Sequence, residues 1–137
     1  MNTLHRTLAT LSTIVVLVMA ALAGHSNRMF GAGDIEVHGV LGELLFAVSV
    51  VMVGLAWATK ARRAVLGLAV AFAVLCFAQV GLGFVGRDTI EAAAWHIPNG
   101  VLIMGVAVAQ LVLLLADRSP AEPDSSTSGI RSDTMRS

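Results

Sequence analysis

Two histidines stand in matching contexts. His38-Gly39-Val40-Leu41-Gly42 and His96-Ile97-Pro98-Asn99-Gly100 share the pattern His-x-x-x-Gly, and each lies at the head of a long apolar run. Imidazole nitrogens ligate transition metals and carry protons near neutral pH. In a helix, residues four apart share a face, so each glycine lies one turn from its histidine on the same side. A glycine there removes side-chain bulk directly beneath the ring. Upstream, Ala21-Leu22-Ala23-Gly24 precedes the first motif and Gly81-Leu82-Gly83 the second. Each is followed by one arginine, Arg28 or Arg87, and by acidic residues before the histidine. The chain therefore reads as two helix hairpins of the same topology.

These residues need helices to hold them, and the composition states which kind. Of 137 residues, 56% are hydrophobic and 13% charged, with mean hydropathy +0.81. A soluble domain averages about 45–50% apolar and about 25% charged. The composition excludes an ordinary water-soluble domain and excludes disorder over most of the chain. A net charge of +0 gives no bulk attraction to nucleic acid. One cysteine excludes an intrachain disulfide and a thiolate metal cluster. Apolar runs cover 8–23, 37–58, 64–85 and 92–116. A helix crosses a bilayer core in about 20 residues, so the last three qualify and the first is short. Lipid leaves no partner for unpaired backbone groups, and the runs are too long and uniform for barrel strands.

The expected fold is all-α: a transmembrane four-helix bundle, up-down-up-down because its connections are short. Its two hairpins would be related by a pseudo-twofold axis along the membrane normal. Residues 1–117 form the bundle. Residues 118–137, rich in Ser, Pro, Asp and Thr, read as a disordered cytoplasmic tail. A competing reading takes the basic start, the first apolar run and Ala21-Leu22-Ala23 as a cleaved signal peptide. A retained first helix is preferred, because the loop after it continues the repeat.

In such a square, helices 2 and 4 are diagonal partners and the two histidines share one depth near the outer face. Opposed imidazoles above a cleared gap suit a flat cofactor ligated axially at its metal. Histidine commonly holds haem iron, and bundle cores are usual cofactor sites. The expected cofactor is haem b, with His38 and His96 as metal ligands and Gly42 and Gly100 clearing space beside them. Arg28 and Arg87 stand at the rim, where a guanidinium suits a propionate carboxylate. Two protein ligands leave iron no open position, which favours electron transfer or haem handling, and no residue set reads as catalytic. The competing reading is a haem-free membrane subunit that packs against a partner or another copy. In it the histidines are interfacial polar groups and the glycines serve helix packing. Expected partners are the lipid bilayer and a redox partner or homodimer.

Other polar residues have plainer readings. His5 is expected as a cytoplasmic flank and His25 at the outer surface. A zinc site would want four ligands and draw on Glu36 or Glu91, while Cys76 lies too deep and reads as a small core residue. Glu43, five residues past His38, is turned about 140° from that face. It reads as a proton-handling residue, a quinone contact or a snorkelling side chain. Gln79 and Gln110 read as interhelical hydrogen bonders. Asp88-Thr89-Ile90-Glu91 resembles a capping pattern, which starts helix 4 before its apolar run and puts Pro98 inside it.

The combination of Ala-Gly near the end of helix 1, His38-Gly39-x-x-Gly42, Gln79-x-x-Leu82-Gly83 and His96-x-x-Asn99-Gly100 resembles an uncharacterised family of small four-helix bacterial membrane proteins. The resemblance covers residues 8–116. More distantly, the chain is similar to one half of haem A synthase. In that enzyme each four-helix half holds haem through histidines on its second and fourth helices, which implies the same role for His38 and His96. The enzyme has two halves and carries a glutamate three residues before the first histidine of its catalytic half. Here Glu36 is two before, so the likeness implies haem binding and not haem A synthesis. Cytochromes of the b561 type also use histidine pairs in bundles, with more helices and two haems.

Basic residues set the expected orientation. Arg6, Lys60, Arg62, Arg63, Arg118, Arg131 and Arg136 fall on one side, 7 of the 9 Lys and Arg. The positive-inside bias puts that side, and both termini, in the cytoplasm, and the resemblance to bacterial membrane proteins implies the inner membrane of a bacterial cell. Trp57 falls at the inner end of helix 2 and Trp95 at the outer end of helix 4, where interfacial aromatics belong. A topology reporter fused after Ser137 is expected to report cytoplasm, and one placed in the loop before Glu36 the exterior. A C-terminal reporter found outside overturns this orientation.

Overall fold

A computed structural model describes residues 3–25 and 32–116. Arg28 and the tail expected at 118–137 lie outside the described residues. Four helices follow in order: α1 Thr3–His25, α2 Ala32–Ala58, α3 Arg63–Val85 and α4 Ile90–Ala116. All four are long and apolar enough to cross a membrane. Each packs on its chain neighbours, α1 closes against α4, and no backbone contact crosses either diagonal among the described residues. The result is a square with α2 opposite α4.

Burial repeats between the hairpins. Leu45, Ser49, Met52 and Ala56 are buried on α2, and Ile103, Ala107, Gln110 and Leu114 take the corresponding places on α4. On α1 the buried series His5, Ala9, Ser12 and Val16 matches Val65, Ala69, Phe72 and Cys76 on α3. Steps of four and three residues keep one seam facing the axis, as in left-handed bundles. Two apolar layers fill the interior. One joins Val16, Met19, Leu45, Phe72, Cys76, Ile103 and Ala107; the other joins Ala9, Met52, Val65 and Leu114.

The outer surface is apolar as well. Phe77 is 67% exposed, and Leu17, Val51, Val74 and Leu102 are also open. A water-soluble bundle would turn charge outward; this one turns aliphatic side chains outward and encloses His5, Ser12, Thr13, Ser49 and Gln110. Lipid is the solvent that fits. The chain is a multi-pass membrane protein. Two enclosed hydroxyls are satisfied on their own helices, Thr13 Oγ1 donating to the Ala9 carbonyl at 2.9 Å and Ser49 Oγ to the Phe46 carbonyl at 2.6 Å, while Ser12 Oγ donates across to Met52 Sδ at 3.7 Å. Trp57 and Trp95, 76% and 68% exposed, stand near opposite ends of the bundle.

The α2–α3 turn is closed by a Schellman-type pair. Ala61 N–H donates to the Ala56 carbonyl at 2.9 Å and Lys60 N–H to the Trp57 carbonyl at 3.1 Å. Lys60 holds the left-handed conformation, φ 51°, that usually falls to glycine here. At the other end α4 begins at Ile90, ahead of its apolar run as expected. Thr89, rather than Asp88, directly precedes it, and the Thr89 carbonyl accepts from Ala93 N–H at 3.3 Å.

One expectation is corrected. His5 is not a flank outside the membrane run. It lies inside α1, is 1% exposed, and faces Gln110, also 1% exposed, with the two Nε2 atoms 3.5 Å apart. With the amide donating, His5 keeps its proton on Nδ1. The apolar run at 8–23 gave no sign of this, because the partner lies on the far helix of the chain. Gln110→Leu and His5→Leu are each expected to cost about 1 kcal/mol, with a coupling of about 0.6 kcal/mol in the double variant. Reversible unfolding in detergent measures the cycle; full additivity would show that the contact contributes nothing.

Candidate histidine pair across the bundle

His38 enters from the first turns of α2 and His96 from the early part of α4. The imidazole rings meet across the diagonal with centroids 6.0 Å apart and planes tilted by 50°. Both Nδ1 atoms are buried and neither makes a hydrogen bond of good geometry, the Gln79 backbone being the group beside His96. An enclosed ring nitrogen without a well-formed hydrogen bond is unusual, since buried polar atoms are nearly always paired. Here two such atoms occur on one pair of rings.

α3 shapes one side of this pair. A Cβ added at Gly83 would lie 3.4 Å from His96 Cε1, so the bare backbone of α3 is the surface on which that ring rests. Four residues earlier on the same face is Gln79. Asn99 stands one turn past His96 on α4, and its Nδ2 donates to Gln79 Oε1 at 2.6 Å and to the Leu75 carbonyl at 3.0 Å. The expected interhelical role of Gln79 is thereby present, and Asn99 proves to be its partner. The His96-x-x-Asn99 spacing was the available signal, because three residues bring the second side chain back to the same face.

Gly42 and Gly100 take equivalent places, and neither faces an open gap. A Cβ at Gly42 would lie 3.5 Å from Met19 Cε, and one at Gly100 would lie 3.4 Å from Gln79 Nε2. Each glycine lets a long unbranched side chain of the neighbouring helix lie against its own helix. The pseudo-twofold relation therefore extends to this layer, with Met19 on α1 answering Gln79 on α3.

The remaining candidates lie apart from the rings. Arg87 is exposed in the α3–α4 turn, its guanidinium carbon 5.3 Å from the Phe84 ring centroid. Glu36 and Glu91 are exposed, and among the described residues no group of three or more His, Cys, Asp or Glu converges on one point. A zinc site built from the histidines and these carboxylates is therefore not formed. Glu43 is exposed on α2, turned from the pair as its spacing requires. Cys76 is buried in the apolar layer, a core residue as expected. Among the described residues, the donor set at the pair is two imidazoles.

Gly86 controls how closely the turn seats α4 beside α3. A Cβ there would lie 2.7 Å from the Leu82 carbonyl oxygen and 3.2 Å from Ala93 N. Gly86→Ala must open the turn and is expected to cost on the order of 1–3 kcal/mol, read as a lower Tm. Gly81, with nothing within 4 Å of an added Cβ, is the control, and Gly81→Ala is expected to leave Tm unchanged or raise it. An unchanged Tm for Gly86→Ala would show that the turn can open without loss.

The chain matches no protein-family model, and comparisons with curated proteins and with solved structures find no match either.

Proposed function

We propose that this membrane protein binds one b-type haem between α2 and α4, with His38 and His96 as axial ligands, for electron transfer or haem handling. The observation that carries this reading is the histidine pair, two rings 6.0 Å apart across the bundle with buried Nδ1 atoms outside any well-formed hydrogen bond. His38 and His96 are the residues that would hold the haem iron, each offering an imidazole from one of two diagonal helices. The likeness of the motifs to one half of haem A synthase supports the same choice.

Haem bound there would supply a one-electron couple without an open coordination position. The chain's own residues would do the rest. His38 and His96 would each offer one ring nitrogen to the metal. Gly83 holds the His96 ring against α3. Gly42 and Gly100 keep branched side chains out of the layer beneath. Met19, unbranched and with three rotatable bonds, is the side chain that would swing aside to admit a macrocycle. Arg87, and Arg28 by its place in the repeat, would pair with propionates at the rim.

The split of basic residues supports an orientation with both termini in the cytoplasm of a bacterial inner membrane, and so a haem near the outer face. Electron transfer requires a redox partner at that face, or a second copy of this chain.

Protein purified from haem-replete cells is expected to give the reduced-minus-oxidised spectrum of a low-spin b haem, about one per chain. His38→Ala and His96→Ala should each abolish the low-spin signal, because six-coordinate iron needs both ligands. Gly42→Leu should weaken binding with the ligands intact, and His25→Ala should change nothing. Folded but colourless wild-type protein would sink the haem reading and leave the packing-subunit reading in front.

A further inference from the structure

α4 carries His96 on its weakest stretch. Pro98 lies inside the helix and has no N–H, so it cannot donate the bond that the Ala94 carbonyl would otherwise receive. Helices bend at such points. The segment from Ile90 to Ile97 is thus joined to the rest of α4 by an incomplete ladder, and His96 sits at that joint. Left to itself, the ring could be carried away from His38 by a small bend.

The contacts on α3 stand where that bend would occur. Leu75, Gln79 and Gly83 follow one another at four-residue intervals on a single face. His96 and Asn99 share a face on α4. They meet in order: the His96 ring rests on Gly83, and Asn99 Nδ2 reaches both Gln79 Oε1 and the Leu75 carbonyl. The Leu75 carbonyl has a second lone pair, so it can accept from Asn99 as well as from its own helix. Gly100 completes the arrangement by letting the Gln79 amide lie against α4. Asn99 follows Pro98 directly, so the tie is made at the joint itself. The α1–α2 half has Met19 where this half has Gln79, and Leu41 where it has Asn99. It has no proline in the corresponding stretch to secure.

We propose that Asn99 and Gln79 are positioning residues: their hydrogen bond, anchored on the Leu75 carbonyl, fixes the Pro98 joint of α4 and thereby holds the His96 ring opposite His38. The placement of the ring stands on the contacts alone. Its purpose, presenting an axial ligand, rests on the haem reading above.

The test uses the purified full-length chain in detergent, with ¹⁵N-labelled histidine and with haemin as the added probe. Asn99→Leu and Gln79→Met remove the bond. Gln79→Glu keeps a carbonyl oxygen for Asn99 and is the rescue variant. Gln110→Met, at the other end of the bundle, is the control for general loosening. The His96 ring resonances are expected to shift or split in Asn99→Leu and Gln79→Met and to return to wild-type positions in Gln79→Glu, with His5 unmoved in all three. In Gln110→Met the His5 resonances should move and those of His96 should not. Haemin affinity is expected to fall on the order of tenfold in Asn99→Leu and Gln79→Met, with a smaller low-spin fraction, while Gln110→Met lowers Tm without changing that fraction. Unmoved His96 resonances in folded Asn99→Leu or Gln79→Met overturn the proposal, even where Tm falls. If Asn99→Leu does not fold, the Gln79→Met and Gln79→Glu pair decides by the same resonances. If the wild type takes up no haemin, the haem reading fails, and the haem-free resonances alone decide whether the ring is positioned in this way.

Discussion

A polar side chain inside this molecule has no water to turn to, and the arrangement of the bundle follows from that constraint. Aliphatic side chains cover the outside because lipid accepts them, so burial gives little guidance about which helices should meet. Polar groups give that guidance. His5 finds Gln110, Asn99 finds Gln79 and the Leu75 carbonyl, and Thr13 and Ser49 turn back to carbonyls of their own helices. The His5–Gln110 and Asn99–Gln79 pairs lie toward opposite ends of the bundle, one tying α1 to α4 and the other α3 to α4, and Ser12 Oγ reaches Met52 Sδ between α1 and α2. The apolar layer of Val16, Leu45, Phe72, Cys76, Ile103 and Ala107 lies between the first two pairs. Among the described residues, the Nδ1 atoms of His38 and His96 depart from this pattern, buried together at the diagonal without a well-formed hydrogen bond.

The two hairpins agree in shape more than in chemistry. Buried positions recur in register, and both glycines below the histidines receive a long side chain from the neighbouring helix. Yet Met19 and Gln79, the two side chains so received, differ in kind. A methionine fills space and yields; a glutamine bonded to Asn99 does not. The surroundings of the two histidines are therefore unequal. His96 is backed by α3 through a glycine and an amide pair, whereas the layer below His38 is closed by a thioether. A pseudo-symmetric frame thus presents one ring on a fixed support and leaves the yielding side chain beneath the other.

Much of this was legible in the residues. Apolar runs separated by short connections fix four spans, since hydrocarbon permits only helices of about that length. The recurrence of His-x-x-x-Gly fixes two equivalent histidines at one depth, and alternating directions in a square make their helices diagonal. The pairing of Gln79 and Gln110 with other helices follows from the cost of an unpaired amide in lipid. Helical periodicity also turns Glu43 away from the pair and leaves Cys76 to the core.

Tertiary structure decided what periodicity cannot carry. Whether His5 belonged to a flank or to the interior depended on Gln110, a partner across the bundle that no local pattern names. A glycine in sequence marks missing bulk without saying what enters the vacancy. Packing decided that Met19 and Gln79 lie against Gly42 and Gly100, and that the surface beside His96 is the bare backbone at Gly83. The 6.0 Å between the two rings was likewise decided by how α2 and α4 pack against α3, which neither helix specifies alone. Sequence fixes the depth and face of a side chain through the rise and turn of its own helix. The distance between two side chains on different helices is a property of the packing between them.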